Sequence, residues 1–164
     1  IRGIISKING IPAKEFAGEH WVLSGDRGIT YSTAPLVRSK ITEGVWWEPD
    51  YKGPAQISFA YEEGKEMGLS LGDELTVNIM GRDINATITS FRDVDFSSAG
   101  IGFIMSMNPY ALQSAPHSFI STVYANPKAE AELLQKVAGK FPNITAVRIK
   151  EVIAQVSNIL LFAW

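Results

Sequence analysis

Two histidines, His20 and His117, and no cysteine are available for chemistry in this chain. The missing thiols exclude thiolate nucleophiles, disulfides and zinc–thiolate centres, and leave the redox compartment open. A Ser-His-Asp set can be written with Ser24 or Ser98, His117 and Asp26, because an imidazole is the usual base for a hydroxyl nucleophile. Neither serine lies in a G-x-S-x-G elbow, the strained turn that exposes a nucleophile beside oxyanion donors. H-E-x-x-H and P-loop strings are also missing, and Gly100-Ile101-Gly102 lacks the third glycine of a dinucleotide loop. His20 beside Trp21 and His117 after Pro116 therefore read as loop or half-buried histidines. No catalytic, cofactor-binding or metal residue is assigned, and no cofactor is expected.

The carboxylates fall into two groups: Glu62, Glu63 and Glu66 on a short helix, and Asp93 and Asp95 around Val94. A hard cation needs converging oxygens and a tight-turn glycine, and these spacings read instead as solvated charge. Trp46-Trp47 offers an aromatic platform for a sugar or lipid. Strand alternation would send the two rings to opposite sides, one into the core and one toward solvent.

The elements that must position these groups follow from periodicity. Arg2–Ile8 reads as a strand ending at the Asn9-Gly10 turn. Short apolar stretches, Trp21–Leu23 and Gly28–Ser32, surround a tight Ser24–Gly28 turn. Thr42–Pro54 is a rigid aromatic loop, Gln56–Tyr61 a strand, and Glu62–Leu69 a short helix ended near Gly68. Leu75, Val77 and Ile79, then Ile84, Ala86 and Ile88, alternate with polar residues on either side of Gly81-Arg82-Asp83, which predicts a hairpin with one apolar face. Leu71-Gly72-Asp73 turns into it. Ile101–Met107 reads as a buried strand, and Asn108-Pro109 as a helix start with Asn as its cap. A β-α-β unit is predicted from Phe119–Tyr124, a helix capped at Asn126-Pro127 with Leu133, Leu134, Val137 and Phe141 on one face, and Ile144–Ile149. A right-handed crossover is expected if its strands are parallel. Strands and helices mix without strict alternation, so the expected class is α+β.

At 164 residues the chain fits one domain or two small lobes, and a multi-domain enzyme is excluded. Hydrophobic residues at 46% and charged residues at 20% supply a real core, against disorder. A net charge of −2 offers no basic stripe for phosphates, so nucleic acid is not an expected partner. The chain opens at Ile1 with no basic n-region, which reads as a fragment or processed product. From Ile149 the apolar positions Val152, Ile153, Val156, Ile159, Leu160 and Ala163 form a helical stripe that ends in the unbroken run Ile159–Trp164. This is either a C-terminal helix docking on the core or a stalk helix cut as it enters a membrane span, which needs about 20 apolar residues.

Several strings form an ordered set: Gly25–Ser32, Thr42–Trp47, Asp50–Pro54, Gly68–Asp73 and Phe141–Val147. Together they resemble the extracytoplasmic loop of FtsX/MacB-type ABC-transporter permeases, nearest the YbbP-like branch of predicted export permeases, over nearly the whole chain. The resemblance implies a non-catalytic bacterial domain outside the cytoplasmic (inner) membrane, periplasmic in position, carried between the membrane helices of a parent chain. It implies a two-lobed, MacB-like periplasmic fold: a mixed α/β membrane-proximal lobe from residues 1–12 plus 117–164, and a mainly β lobe from 13–116. The family's pattern also has a β-α unit upstream of the first strand, which this chain lacks. The implied partners are a cytoplasmic ATPase subunit, a second permease copy or partner permease, and hydrophobic or lipid-linked cargo. The implied function couples distant ATP hydrolysis to export, extraction or mechanical signalling.

Within that frame Gly25, Gly28, Gly72 and Asp73 are expected to shape turns. Trp46, Trp47 and the polar face of the Leu75–Ile88 hairpin are the expected contact surfaces, and Trp47→Ala is expected to leave folding largely intact. The rival readings are a secreted serine hydrolase using Ser98 and His117, and a stand-alone extracellular binding module.

Overall fold

The computed structural model describes residues 1–36, 39–96 and 102–149. The elements run β1 (Arg2–Ile8), β2 (Ile11–Pro12), α1 (Ala13–Ala17), β3 (Arg27–Tyr31), β4 (Ile41–Gly44), β5 (Gln56–Ala60), α2 (Tyr61–Glu66), β6 (Glu74–Ile79), β7 (Arg82–Arg92), β8 (Met105–Met107), α3 (Pro109–Leu112) and α4 (Pro127–Lys140). The fold is mixed α+β with few helices, and the chain divides into two compact units, Ile1–Ile120 and Ser121–Trp164.

The first unit is a barrel. Pairing runs β1 to β3, β8, β5, β7 and β6, and β6 returns to β1, so six strands close on themselves and leave no open edge in the ring. The β3–β8 and β5–β7 pairs are parallel and the other four are antiparallel. β4 adds to the C-terminal half of β7, where Gly44 lies opposite Ser90, and β2 folds back on β1.

Register explains the core. Ile29, Met105, Phe59 and Phe91 are successive cross-strand partners, as are Met107, Ile57 and Ile88, and all seven are almost fully buried. Ile5, Val77 and Ile84 form a matching row in β1, β6 and β7, so the period-2 apolar face of each strand fills one interior. The opposite face carries a row of hydroxyls across four neighbouring strands: Thr30, Ser106, Ser58 and Ser90. α2 lies close against the sheet because Gly64 has no side chain; a Cβ there would stand 2.5 Å from the Phe91 ring.

Several expectations hold. β1 ends at the left-handed pair Asn9 and Gly10, and Gly68 follows α2 with φ +74. The hairpin forms as β6 and β7, with Met80-Gly81 at its tip in place of Gly81-Arg82-Asp83. Both central residues have positive φ, 52° and 85°, the combination a two-residue hairpin loop requires.

Other expectations are corrected. The strand predicted over Ile101–Met107 is confined to Met105–Met107 among the described residues. Asn108 occupies the cap position of α3 but does not cap it. Its side-chain carbonyl accepts from Gln56 N at 2.8 Å, extending the β8–β5 ladder by one rung. Gly28 is a strand residue of β3, where a Cβ would meet the Phe103 ring at 3.1 Å; Gly25 and Gly72 are true turn glycines with φ +98 and +91.

The largest departure concerns the β-α-β unit. α4 forms as expected, with Asn126 Oδ1 accepting from Ala129 N at 2.9 Å and Pro127 in its first turn. Phe119–Tyr124 and Ile144–Ile149 are not strands. Strand-forming residues need a ladder partner, and neither segment has one among the described residues. β1 pairs with β3 and β6 of the barrel. Within the second unit Arg148 pairs with Glu130 at 3.2 Å and Lys136 with Glu132 at 2.6 Å. No residue of α4 is buried. The helical stripe from Val152 onward and the apolar run Ile159–Trp164 lie outside the described residues. No helix among the described residues is long and apolar enough to cross a membrane.

Candidate functional site

Of the groups from which a hydrolytic set would be drawn, His117 and Asp26 are engaged with other residues. His117 Nδ1 donates to the Ala115 carbonyl at 2.7 Å, and Nε2 is hydrogen-bonded to the Tyr31 hydroxyl at 3.0 Å. Its ring is edge-on to Tyr31 and to Phe119, with centroids 5.3 and 5.0 Å away. His20 Nδ1 accepts from Val22 N at 3.3 Å, which leaves Nε2–H to donate to Glu66 at 2.9 Å. Asp26, the acid of the written triad, faces Arg2: Nε reaches Oδ2 at 2.5 Å and Nη2 reaches Oδ1 at 3.0 Å. These hydrogen bonds hold the Asp26 carboxyl below the usual carboxylate range and push the Arg2 guanidinium up. Ser98 lies outside the described residues. The drawn set of Asp26 and His117 is thus divided between two different partners.

The carboxylates are brought closer together than their spacing in sequence implied. Glu62 and Glu63 of α2 line one cavity of about 470 Å³ with Asp93, Val94, Asp95 and Phe96, because β7 runs out beside the start of α2. Glu66, expected with them, turns to His20. No group of three or more His, Cys, Asp or Glu residues among the described residues is arranged to hold a metal ion.

The residue before Asp93 is Arg92, which is 2% exposed and was not singled out by its sequence neighbours. Its Nη1 donates to the Ser58 carbonyl at 2.6 Å and to that of Ile104 at 3.5 Å, and Nη2 donates to the Phe103 carbonyl. Burial pushes its pKa down to about 10, and the nearby charge of Glu63 opposes that shift. A planar guanidinium with five donors can join three carbonyls from two segments, so Arg92 ties the residues before β8 onto β5.

A second arginine does the same at the surface. Arg27 donates to the carbonyls of Val22 at 3.1 Å, Ser24 at 2.9 Å and Trp21, and its guanidinium lies over the Trp21 ring at 5.1 Å. Trp21 in turn meets Phe96 edge-on, and both rings are substantially exposed.

The tryptophans and the hairpin named as the expected contact surface are arranged differently from the expectation. The Trp46 and Trp47 rings do not point apart; they lie against each other, 4.0 Å between centroids and tilted by 34°. They fall after β4, where strand alternation no longer applies. Trp47 is 5% exposed, and its Nε1 donates to the Ser32 carbonyl at 2.8 Å; Trp46 donates to Thr33 at 3.2 Å. The aromatic loop between β4 and β5 is thereby pinned to the residues that follow β3. Val45, at 74% exposure, is the outermost apolar residue of that loop. Because Trp47 is buried, the expectation that Trp47→Ala spares folding is withdrawn.

On the hairpin, Asn85 is exposed but Thr76 is 7% exposed, so its polar face is only partly free. Asp73 has the turn-shaping role expected of it. Its carboxylate accepts from Ser70 N at 2.8 Å and from Asn9 Nδ2 at 3.0 Å. Gly72 N donates to the Ile88 carbonyl at 2.8 Å.

No family model matches the chain, and no solved structure matches it. The chain is 26% identical over 161 residues to the uncharacterized ABC transporter permease YbbP of Escherichia coli (strain K12). That alignment covers 95% of this chain and 18% of the relative, so the chain spans less than a fifth of the length of the permease to which it is similar.

Proposed function

We propose that this chain is the extracytoplasmic part of an ABC-transporter permease. In this reading it has no catalytic role of its own and transmits motion driven by ATP hydrolysis on a cytoplasmic partner subunit. The observation that carries the reading is the alignment with an ABC transporter permease along 95% of the chain. The ordered strings from Gly25–Ser32 to Phe141–Val147 are consistent with it, being spread over both compact units.

The role fits a rigid body. A closed barrel whose loops are tied by Arg92, Arg27 and the tryptophan pair transmits displacement without absorbing it in local rearrangement. Val45, Trp46 and the exposed residues of the β6–β7 hairpin are the surfaces through which it would meet a second permease copy, a partner permease, or hydrophobic or lipid-linked cargo. Residues 1–12 and 117–164 are the segments that the family resemblance sets toward the membrane.

The test is biochemical and uses the full-length protein. It is expected to resist alkaline extraction from membranes and, once solubilised in detergent, to co-elute with a nucleotide-hydrolysing subunit. A full-length protein recovered in the soluble fraction, with no ATPase bound, contradicts the proposal.

A further inference from the structure

The chain holds four methionines and no cysteine. Two-electron oxidants such as hydroperoxides and hypochlorite attack thiolates first and thioethers next, so methionine sulfur is the most reactive centre here toward such oxidants. The fold separates the four sharply. Met67 is 2% exposed, and Met105 and Met107, the ends of β8, have no exposed surface; Met80 is 77% exposed. Met80 also stands where the residue type is locally unfavourable. It is the first residue of the β6–β7 turn with φ 52°, a left-handed position that Asn or Gly fills at lower cost. The turn is fixed from below by Asn78, whose Oδ1 accepts from Gly81 N at 3.1 Å and whose Nδ2 donates to Asp83 at 2.7 Å. The hairpin therefore holds one flexible thioether out in solvent at a rigid tip, while the other three are enclosed in the core.

From this arrangement we infer that Met80 is a site of reversible oxidation, the one methionine of this chain that a peroxide-class oxidant modifies in the folded state. The sulfur lone pair attacks the terminal oxygen of the hydroperoxide and the O–O bond breaks. One oxygen is transferred to Met80 Sδ, its proton passes to the departing oxygen, the sulfur is oxidised by two electrons, and the oxidant leaves reduced as water or an alcohol. A methionine sulfoxide reductase reverses the step at the expense of a dithiol. The product replaces an apolar hairpin tip by a polar S=O group while the barrel interior stays intact, so the modification alters a surface and spares the fold.

The experiment treats the folded 164-residue chain with hydrogen peroxide, quenches with excess free methionine, digests, and follows the added oxygen at each methionine by mass spectrometry. Met80 is expected to oxidise at least roughly tenfold faster than Met67, Met105 and Met107, with a reductase restoring the original mass. In the chain unfolded by denaturant the four should react at similar rates. Met80→Leu should leave the folded chain nearly unmodified at a dose that saturates the parent. Comparable rates at all four positions in the folded chain overturn the inference, as does a Met80 that remains unoxidised while a buried methionine reacts.

Discussion

The Trp46 and Trp47 rings lie 4.0 Å apart, and each indole N–H reaches a different carbonyl of the segment that follows β3, Thr33 for Trp46 and Ser32 for Trp47. Two adjacent side chains thus act together as one clasp, joining the loop between β4 and β5 to the end of a strand elsewhere in the barrel. Removing the buried Trp47 takes away a large apolar surface and leaves the Ser32 carbonyl without its donor. Trp47→Ala is expected to cost about 3–5 kcal/mol in urea unfolding, and Trp46→Ala about 1–2 kcal/mol. Coupled indoles also give a paired band in far-ultraviolet circular dichroism, which either substitution should abolish. A Trp47→Ala protein of parental stability would contradict the clasp.

Arg92 is the buried counterpart of that clasp. Truncation to alanine leaves the carbonyls of Ser58 and Phe103 short of a donor and opens space in a packed region, so Arg92→Ala is expected to destabilise by about 3–5 kcal/mol. Arg92→Lys keeps the charge but lacks the planar fork, and should recover less than half of the loss. Amide hydrogen exchange at residues 103–107 should rise in both variants. Unchanged protection there would show that Arg92 does not secure the approach to β8.

Gly44 ends β4 with φ +74, and a Cβ at this position would stand 2.2 Å from the Thr89 carbonyl oxygen. Both the backbone conformation and the contact oppose any side chain. Gly44→Ala is expected to lose about 2–4 kcal/mol, read from the denaturation midpoint. The matched control is Gly10→Ala, which shares positive φ but has open space around it, and should lose about 1 kcal/mol. Equal losses would remove the clash from the explanation.

Acid should release the Arg2 and Asp26 pair. The folded pKa of Asp26 lies below its unfolded value, so the stabilisation is present above the unfolded pKa and disappears as pH falls through the folded one. Both side chains are exposed, and the contribution to stability is small. The titration itself is the better readout: carboxyl NMR should place the Asp26 midpoint below the usual aspartate range in the parent and return it upward in Arg2→Ala. A midpoint that Arg2→Ala leaves unmoved contradicts the pairing.

Local features were legible wherever neighbours in sequence decide the outcome. The Asn9-Gly10 turn, the alternation of Leu75, Val77 and Ile79 against Ile84, Ala86 and Ile88, and the Asn126-Pro127 helix start are set by φ preferences, period and capping, all of which are short-range. Barrel closure was not legible, because it depends on the parallel pairing of Ile29 with Met105 and of Phe59 with Phe91, for which no local residue pattern exists. Phe119–Tyr124 shows the converse: strand propensity without a ladder partner among the described residues does not produce a strand. Arg92 gave one signal in retrospect, a lone cation directly after the buried strand residues Ser90 and Phe91, where a charge requires partners. The contact between Trp46 and Trp47 gave none, since it arises only after the strand ends and the alternation rule lapses.

The proposed function requires the chain to lie outside the cytoplasm as part of a membrane permease. Its lack of cysteine gives a clean reporter: Val45→Cys introduces a thiol on the most exposed apolar residue of the aromatic loop. Intact cells producing the full-length protein with this substitution and no other reactive thiol are treated with a membrane-impermeant maleimide before fractionation. The account predicts labelled protein in the membrane fraction without permeabilisation. Labelling that appears only after the cells are opened, or a labelled protein that remains soluble, would contradict it.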